Sequence, residues 1–302
     1  MTATAKEALR EIDLGISGQS RVPASMRLDF SRDAATGSTF LAGSYQEPPL
    51  KVVRAFSLED GTALVHLHNV SGGLLGGDHL ALQINIGCRT SVQVTTTGAT
   101  RIYHHRPEFS LTTQCNEVVV GEGALLEYVP DAVIPFAGAR FLQRTSIDLA
   151  DGAGMFWWEI LAPGREARGE LFEYEHFEMK TRVAALGRRI ATENICLRPA
   201  DQDVSSLARL GPYRYAATFY MCRVGLEASA WRACEDHLRE VTSSLTRTGE
   251  ILWGVSSLVA HGLVVRCLSR RGREVLPGLH TLWRRAKLRL YGREAIPPRK
   301  VN

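Results

Sequence analysis

Apolar and polar residues alternate in many short segments between residues 51 and 222. An alternation with a period of two predicts β-strands that bury one face. Turns that contain glycine, such as Glu59-Asp60-Gly61 and Asp151-Gly152, separate these segments. The predicted strands cover residues 51–57, 62–68, 79–86, 89–97, 109–114, 117–120, 125–129, 140–149, 155–161, 172–183, 189–197 and 213–222.

The last quarter of the chain has a different pattern. Residues 229–247 are predicted to form a first helix. A second helix is predicted over residues 276–291, ending before Gly292. The apolar residues 251–269 between them predict a buried strand. The first helix is predicted because apolar residues recur at spacings of three and four, namely at Trp231, Cys234, Leu238, Val241 and Leu245.

Together these elements predict a mainly β fold, a large multi-stranded antiparallel or stacked β scaffold with about two C-terminal helices. An antiparallel sandwich, a barrel and a helical β stack all agree with this spacing of strands. Since no linker-like stretch divides the chain, residues 22–302 are expected to form a single β-rich domain that includes the helices. Residues 1–21 are polar and mixed, and they are expected to form a flexible N-terminal arm.

Composition excludes several classes of protein. Apolar residues make up 45% of the 302 residues and charged residues 23%, values that exclude an intrinsically disordered chain. No segment approaches the roughly 18 consecutive apolar residues that a membrane span needs. The first residues, MTATAKEALREIDLG, lack the apolar core of a secretory signal. We therefore expect a cytoplasmic protein without a membrane partner.

The net charge of +4 is unevenly distributed. Residues 260–302 contain 11 lysines and arginines against two acidic residues, a net charge of +9, so the preceding residues sum to −5. A total of +4 does not by itself call for nucleic acid as a partner. The basic face of the second predicted helix is either a solvated face or a docking surface for an acidic partner, and it carries Arg284, Arg285, Lys287 and Arg289.

Common catalytic and metal-binding motifs are absent from the sequence. The six cysteines have no C-x-x-C spacing, which argues against a structural zinc site. There is no G-x-x-x-x-G-K-[ST] phosphate loop, no H-E-x-x-H and no G-x-S-x-G.

Three acidic residues stand in apolar or glycine-rich surroundings. Asp78 follows Gly76-Gly77, Asp131 follows Val129-Pro130, and Glu159 lies within FWWEIL. An ionised carboxylate in such a place is costly unless it is paired, hydrated or bound to a cation. A structural ion pair with a nearby arginine is the alternative, and the hydroxyl-rich run TTTGATR at residues 95–101 borders either a hydrated interior or the surface.

Several segments together resemble the urease accessory protein family UreD, also called UreH. They occur in the family's order over roughly residues 22–299, which makes a chance match improbable. The segments are PLKVVR (49–54), ALVHLHN (63–69), GGLLGGD (72–78), TTTGATRIY (95–103), LEYVPD (126–131), IPFAGAR (134–140), WEIL (158–161), ARGE (167–170) and YGREAIPPR (291–299).

This resemblance implies a maturation chaperone rather than an enzyme. Family members bind apo-urease and join the helical accessory protein UreF and the nickel-carrying GTPase UreG, and the complex promotes nickel incorporation into the urease active site. No tightly bound cofactor is implied, only transient nickel, because ligands that hold nickel in transit must also release it.

The family is thought to offer a hydrated internal path for nickel. In this chain the candidate residues are Asp78, Glu159, Thr96, Thr100 and Asp131, with Asp78 and Glu159 as transient metal ligands. The basic helix face is a candidate docking site for a partner protein. The alternatives are a β-rich hydrolase or lyase that uses Asp78 and Glu159 as an acid–base pair and a module that binds an acidic ligand.

Overall fold

The computed structural model describes residues 24–298, so the arm predicted over residues 1–21 lies outside the described residues. Strand accounts for 46% of the structure and helix for 15%, which confirms the mainly β fold class. None of the helices in residues 24–298 is both long and apolar enough to cross a membrane. The strands are β1 (Ala24–Arg32), β2 (Thr39–Gln46), β3 (Leu50–Lys51), β4 (Ala55–Ser57), β5 (Ala63–Asn69), β6 (His79–Ile86), β7 (Ser91–Thr96), β8 (Thr100–Ile102), β9 (Thr112–Val120), β10 (Leu125–Tyr128), β11 (Val133–Pro135), β12 (Arg140–Leu149), β13 (Gly154–Leu161), β14 (His176–Ala185), β15 (Arg188–Leu197), β16 (Tyr215–Arg223), β17 (Ile251–Ser257) and β18 (Gly262–Ser269), and the helices are α1 (Ala228–Leu245) and α2 (Val275–Tyr291).

Two sheets form the molecule. Sheet A has the strand order β15-β14-β12-β9-β6-β1-β2, and the main path of sheet B has the order β17-β18-β16-β13-β10-β7-β5-β3. From β5 to β14 the chain passes back and forth between the sheets, so the inner strands of each sheet run parallel. The outer strands, such as β15 and β16, pair antiparallel. Among the three arrangements that agree with the sequence, the stacked one describes this fold.

Tight turns make the repeated crossings between sheets. Gly123 and Gly152 adopt positive φ angles of 61° and 64°, and Gly152 stands in the Asp151-Gly152 turn that the sequence predicts. Only glycine takes this left-handed conformation without a steric penalty from Cβ. The turn before β10 and the turn before β13 are therefore set by local sequence.

The two helices cover the outer face of sheet B. Trp158 and Phe219 from the sheet pack with Leu279 and Trp283 of α2 in one buried apolar cluster, to which α1 contributes Leu238. Gly278 of α2 lies so close to the Trp253 ring that a Cβ atom there would be 2.3 Å from a ring carbon. Gly292 caps α2 in the left-handed conformation, at the end that the sequence predicts.

Some predicted boundaries differ from the observed ones. Residues 51–57 divide into β3 and β4, whereas 109–114 and 117–120 join in the single strand β9. Residues 251–269 form the hairpin of β17 and β18 rather than one strand, because the chain reverses around His261, which has a φ of 57°. The strands β1 and β2 are absent from the sequence prediction, although Met26, Leu28 and Phe30 of β1 alternate regularly with polar residues.

Candidate functional site

A group of hydrogen-bonded polar side chains lies between sheets A and B. Gln114 donates from Nε2 to Oδ1 of Asn116 at 2.9 Å, and Asn116 donates from Nδ2 to Oγ1 of Thr145 at 3.0 Å. Gln143 donates from Nε2 to Oε1 of Glu159 at 2.9 Å, and its Nε2 is 3.4 Å from Oγ1 of Thr145. We call this group the interior polar layer, and it consists of Gln114, Asn116, Gln143, Thr145, Glu159 and Thr181.

The interior polar layer divides the apolar core between the sheets. On β12 the inward positions alternate with outward ones, so Gln143 and Thr145 lie between Phe141 and Ile147 on the same face. Phe141 belongs to one buried apolar cluster and Ile147 to another. Three neighbouring strands of sheet A, β9, β12 and β14, thus carry polar instead of apolar inward side chains at the same depth. These side chains form a polar section across the apolar core.

Glu159 is the acidic member of this layer. Its side chain is buried, and Oε2 accepts a hydrogen bond from Oγ1 of Thr181 at 2.9 Å while Oε1 accepts the bond from Gln143. Burial raises the pKa of Glu159 to about 7, although the donors Thr181 and Gln143 favour the ionised form. Both donors are uncharged, so the proposed ion pair with a nearby arginine is not what surrounds this carboxylate.

One end of the layer meets a narrow cavity of about 250 Å³. Gln114 and Tyr128 line this cavity on its inner side, and Thr96 and Thr100 line it near the surface loop 97–99. Burial raises the pKa of Tyr128, and the negative charge of Glu159 raises it further. The cavity therefore brings Thr96 and Thr100, two of the predicted path residues, to the same opening.

The other end of the layer lies towards β15, the edge strand of sheet A, and towards β16 and β18 of sheet B. Thr218 on β16 is paired with Glu159, and Arg266 on β18 is paired with Thr218. Arg266 forms an ion pair with Glu193 of sheet A, with 2.6 Å between Nη2 and Oε2. Because Arg266 is half exposed, the polar section ends at solvent.

Asp131 lies in a neighbouring, wider cleft of about 750 Å³. Its Oδ2 accepts a hydrogen bond from Oγ1 of Thr96 at 3.3 Å, and its backbone N–H donates to the same hydroxyl at 2.9 Å. Residues 97–99 line both the cleft and the narrow cavity. Asp131 and Thr96 are therefore brought together where the two openings meet.

Asp78 has a different setting from the one expected. Its Oδ2 accepts a hydrogen bond from the backbone N–H of Leu75 at 2.8 Å, which closes the turn that leads into β6. Asp78 is partly buried there and precedes Leu80, a residue that lines the narrow cavity. Glu159, by contrast, lies inside the core with both oxygens bonded. An acid–base pair for hydrolysis needs two carboxylates on either side of one substrate bond, and these two settings do not supply it.

The basic face predicted for the second helix is only partly correct. Arg284, Arg285 and Arg289 are exposed on α2, but Lys287 is 2% exposed. Lys287 donates from Nζ to Oε2 of Glu127 at 2.9 Å, and Trp283 donates from Nε1 to Oε1 of the same carboxylate at 2.7 Å. The prediction that Lys287 lies on a docking surface was wrong, because Glu127 on β10 lies beneath the helix and pairs with Lys287 inside the core.

Most residues of the interior polar layer were not predicted from the sequence. The signal was present in the alternation of β12 and β9, where polar residues share the phase of apolar ones, as in Phe141-x-Gln143-x-Thr145-x-Ile147. A polar residue at an inward position is the informative exception to the usual pattern. What the alternation does not reveal is that three strands place such residues side by side.

The raised pKa of Glu159 predicts a dependence of stability on pH. Because the folded-state pKa is about 7 and the ordinary value is 4.5, the native state binds more protons between these values, and the free energy of unfolding falls as pH rises through this window. Glu159→Gln removes the buried charge. Its free energy of unfolding is therefore expected to rise by about 3 kcal/mol relative to that of the unmodified chain as the pH increases from about pH 5 to about pH 8.

Urea unfolding of both proteins across this pH range measures the effect. Glu122→Gln is the matched control, since Glu122 is exposed, and its difference from the unmodified chain should not change with pH. If the difference in free energy of unfolding between Glu159→Gln and the unmodified chain stayed constant across this pH range, it would contradict a raised pKa for Glu159.

Comparison with known proteins identifies relatives of this chain. A family model described as UreD urease accessory protein matches residues 22–302. The chain is 45% identical to the urease accessory protein UreD of Herpetosiphon aurantiacus over 281 residues, which cover 93% of this chain and 97% of the relative. It is 30% identical to UreD 2 of Brucella abortus over 277 residues, covering 89% and 88% of the two chains. It is also 30% identical to UreD of Halalkalibacterium halodurans, covering 85% and 93%.

Proposed function

Since the chain belongs to the UreD urease accessory protein family, we propose that it binds apo-urease and promotes nickel incorporation into the urease active site together with UreF and UreG. The family match supports a role in urease maturation, which is the role of an accessory factor rather than a catalyst. The family also implies contacts with urease and with other accessory proteins.

The observation that carries the nickel step is the interior polar layer. Oxygen donors from a carboxylate, amides and hydroxyls bind a divalent cation more weakly than a cage of thiolates and imidazoles does. The layer lies between the narrow cavity, which Gln114 lines, and the ion pair of Arg266 with Glu193, whose carboxylate is on the residue paired with Thr181. Nickel is the cargo in this proposal, and it needs sites that accept it and release it.

Glu159 has the properties that such a transfer requires. With a pKa of about 7, its carboxylate is partly ionised at neutral pH, so a cation competes with a proton for it. The competition lowers the net affinity for the cation and makes release easy. Thr96 and Thr100 are assigned to the entrance, Asp131 to the adjoining cleft, and Asp78 to support of the turn before β6.

Co-expression of urease with UreF and UreG, with and without this chain, tests the proposed function. The measured quantities are nickel per urease active site and urease activity in the purified enzyme. We expect both to fall strongly when the chain is omitted. Equal nickel content in the two preparations would overturn the proposal, and turnover of a substrate by the chain alone would favour the hydrolase or lyase alternative.

The exposed arginines of α2 are proposed to dock the helical partner UreF. The double substitution Arg284→Glu and Arg285→Glu is expected to weaken binding about tenfold, or about 1.4 kcal/mol, because it reverses the charge of a surface that faces an acidic partner. Arg188→Glu with Arg189→Glu is the matched control, since these adjacent arginines are exposed on β15. A pull-down titration measures both, and equal affinities for the two variants would refute the assignment.

A further inference from the structure

A compact group of three metal-ligating side chains lies on the outer face of sheet A. His176 and Glu178 are two residues apart on β14 and therefore share a face of the strand. Cys196 on the antiparallel strand β15 is paired directly with Glu178. One ligand atom from each of the three residues lies within 4.8 Å of the other two. Thr181 on β14 points inward to Glu159, so this group is on the opposite side of the sheet from the interior polar layer.

The spacing of two of these atoms matches that of two ligands on one ion. Nε2 of His176 is 3.5 Å from Oε2 of Glu178. Bond lengths near 2.0–2.2 Å in a tetrahedral site place two ligand atoms about 3.4 Å apart. The sulfur of Cys196 lies within 4.8 Å of both of these atoms.

The imidazole nitrogen Nε2 of His176 has no other structural role in the described residues. Within residues 24–298, Nε2 of His176 is buried and makes no hydrogen bond, and its contact with Oε2 of Glu178 at 3.5 Å is at most an ion pair. A buried polar atom without a partner is costly, and a bound ion would satisfy it.

We propose that His176, Glu178 and Cys196 form a surface site for a borderline divalent transition-metal ion such as Ni²⁺, Zn²⁺ or Co²⁺. The mixed nitrogen, oxygen and sulfur donors favour these ions over Mg²⁺ or Ca²⁺. Three protein ligands leave a fourth position open to water or to a partner's ligand. Binding deprotonates the Cys196 thiol and releases that proton to solvent. The site is independent of the proposed path through the core.

Cobalt is the probe that separates this site from every oxygen-only site. The purified full-length chain is kept in a non-thiol reducing agent and titrated with Co²⁺ while the absorption spectrum is recorded. Because the interior polar layer contains no thiol, a sulfur-to-cobalt charge-transfer band excludes that layer as its source, and variants then assign the band among the chain's free cysteines. We expect the band to saturate at one Co²⁺ per chain.

The variants assign the band to these three residues. Cys196→Ser is expected to abolish it, and His176→Gln and Glu178→Gln are each expected to weaken Co²⁺ binding about tenfold. Cys115→Ser is the matched control, because Cys115 is also partly buried on the outer face of sheet A, yet its charged neighbours are Glu117 and Arg144. Its titration should equal that of the unmodified chain.

Three outcomes would overturn the site. They are the absence of a charge-transfer band in the unmodified chain, a band that persists in Cys196→Ser, and a band that disappears in Cys115→Ser. Urea unfolding of each variant checks that it is folded. If Cys196→Ser does not fold, Glu178→Gln carries the test, and unchanged Co²⁺ affinity in that variant contradicts the proposal. The experiment measures Co²⁺ binding and not urease activation. A negative result would therefore not contradict the proposed function.

Discussion

Replacing Lys287 with methionine is expected to lower the free energy of unfolding by about 3–5 kcal/mol, the largest effect of any single substitution considered. Lys287 and Glu127 are 2% and 1% exposed, and 2.9 Å separates Nζ from Oε2. Methionine keeps most of the side-chain volume but leaves the carboxylate of Glu127 buried without its cation. Burial already raises the pKa of Glu127, and the charge of Lys287 opposes that rise, so the variant shifts Glu127 further toward the protonated form.

Urea unfolding at neutral pH measures this loss. The double variant Lys287→Met with Glu127→Gln is expected to recover most of the stability, because it removes the uncompensated charge instead of isolating it. Arg285→Met is the matched control on the same helix, and since Arg285 is exposed its effect should stay within about 0.5 kcal/mol. A loss in Lys287→Met no larger than in Arg285→Met would show that the pair does not anchor α2.

Glu159→Gln is expected to reduce nickel per urease active site at least about tenfold in cells that express urease and the other accessory proteins. Glutamine keeps the size of the side chain and an oxygen acceptor for Thr181 or Gln143, but it removes the charge that attracts a cation into the core. The fold should persist, since the substitution removes a buried charge rather than creating one.

Two further variants separate charge from structure in this experiment. Glu159→Asp keeps the charge and is expected to retain more nickel transfer than Glu159→Gln. Asp78→Asn keeps the size of a side chain that accepts the bond from Leu75, and it is expected to affect nickel transfer less than Glu159→Gln. A pull-down with urease and UreF confirms that each variant still assembles. Normal nickel content in an assembled Glu159→Gln complex would contradict the role of the interior polar layer.

Sequence patterns predicted many of the strands in which one face is buried and alternation is regular, although β1 was not among them. The bounds of β6 and β12 agree with the predicted residues 79–86 and 140–149. The choice among sandwich, barrel and stack stayed open, because alternation records which residues face inward and not which strands are neighbours. Pairing between β9 and β12, or between β13 and β16, joins segments far apart in the chain.

The candidate site shows the same limit. Glu159 was found because a carboxylate within an apolar strand is conspicuous, and Thr96 and Thr100 because a hydroxyl-rich run is unusual. Lys287 was misplaced because a helical spacing shows which residues share a face but not that Glu127 lies beneath that face. Asp78 was grouped with Glu159 although its carboxylate serves the local turn.

By itself the sequence determined the mainly β character, the glycine turns, the two late helices and, through ordered motifs, the resemblance to UreD. These features depend on local periodicity or on residue order, and both can be read directly from the amino-acid sequence. Only the tertiary structure decided that polar residues from β9, β12, β13 and β14 meet as one layer, and that Lys287 is buried while Arg284 and Arg285 are exposed. The physical reason is that burial and pairing depend on strand neighbours in space, and the charge and affinity of a site depend on what those neighbours bring together.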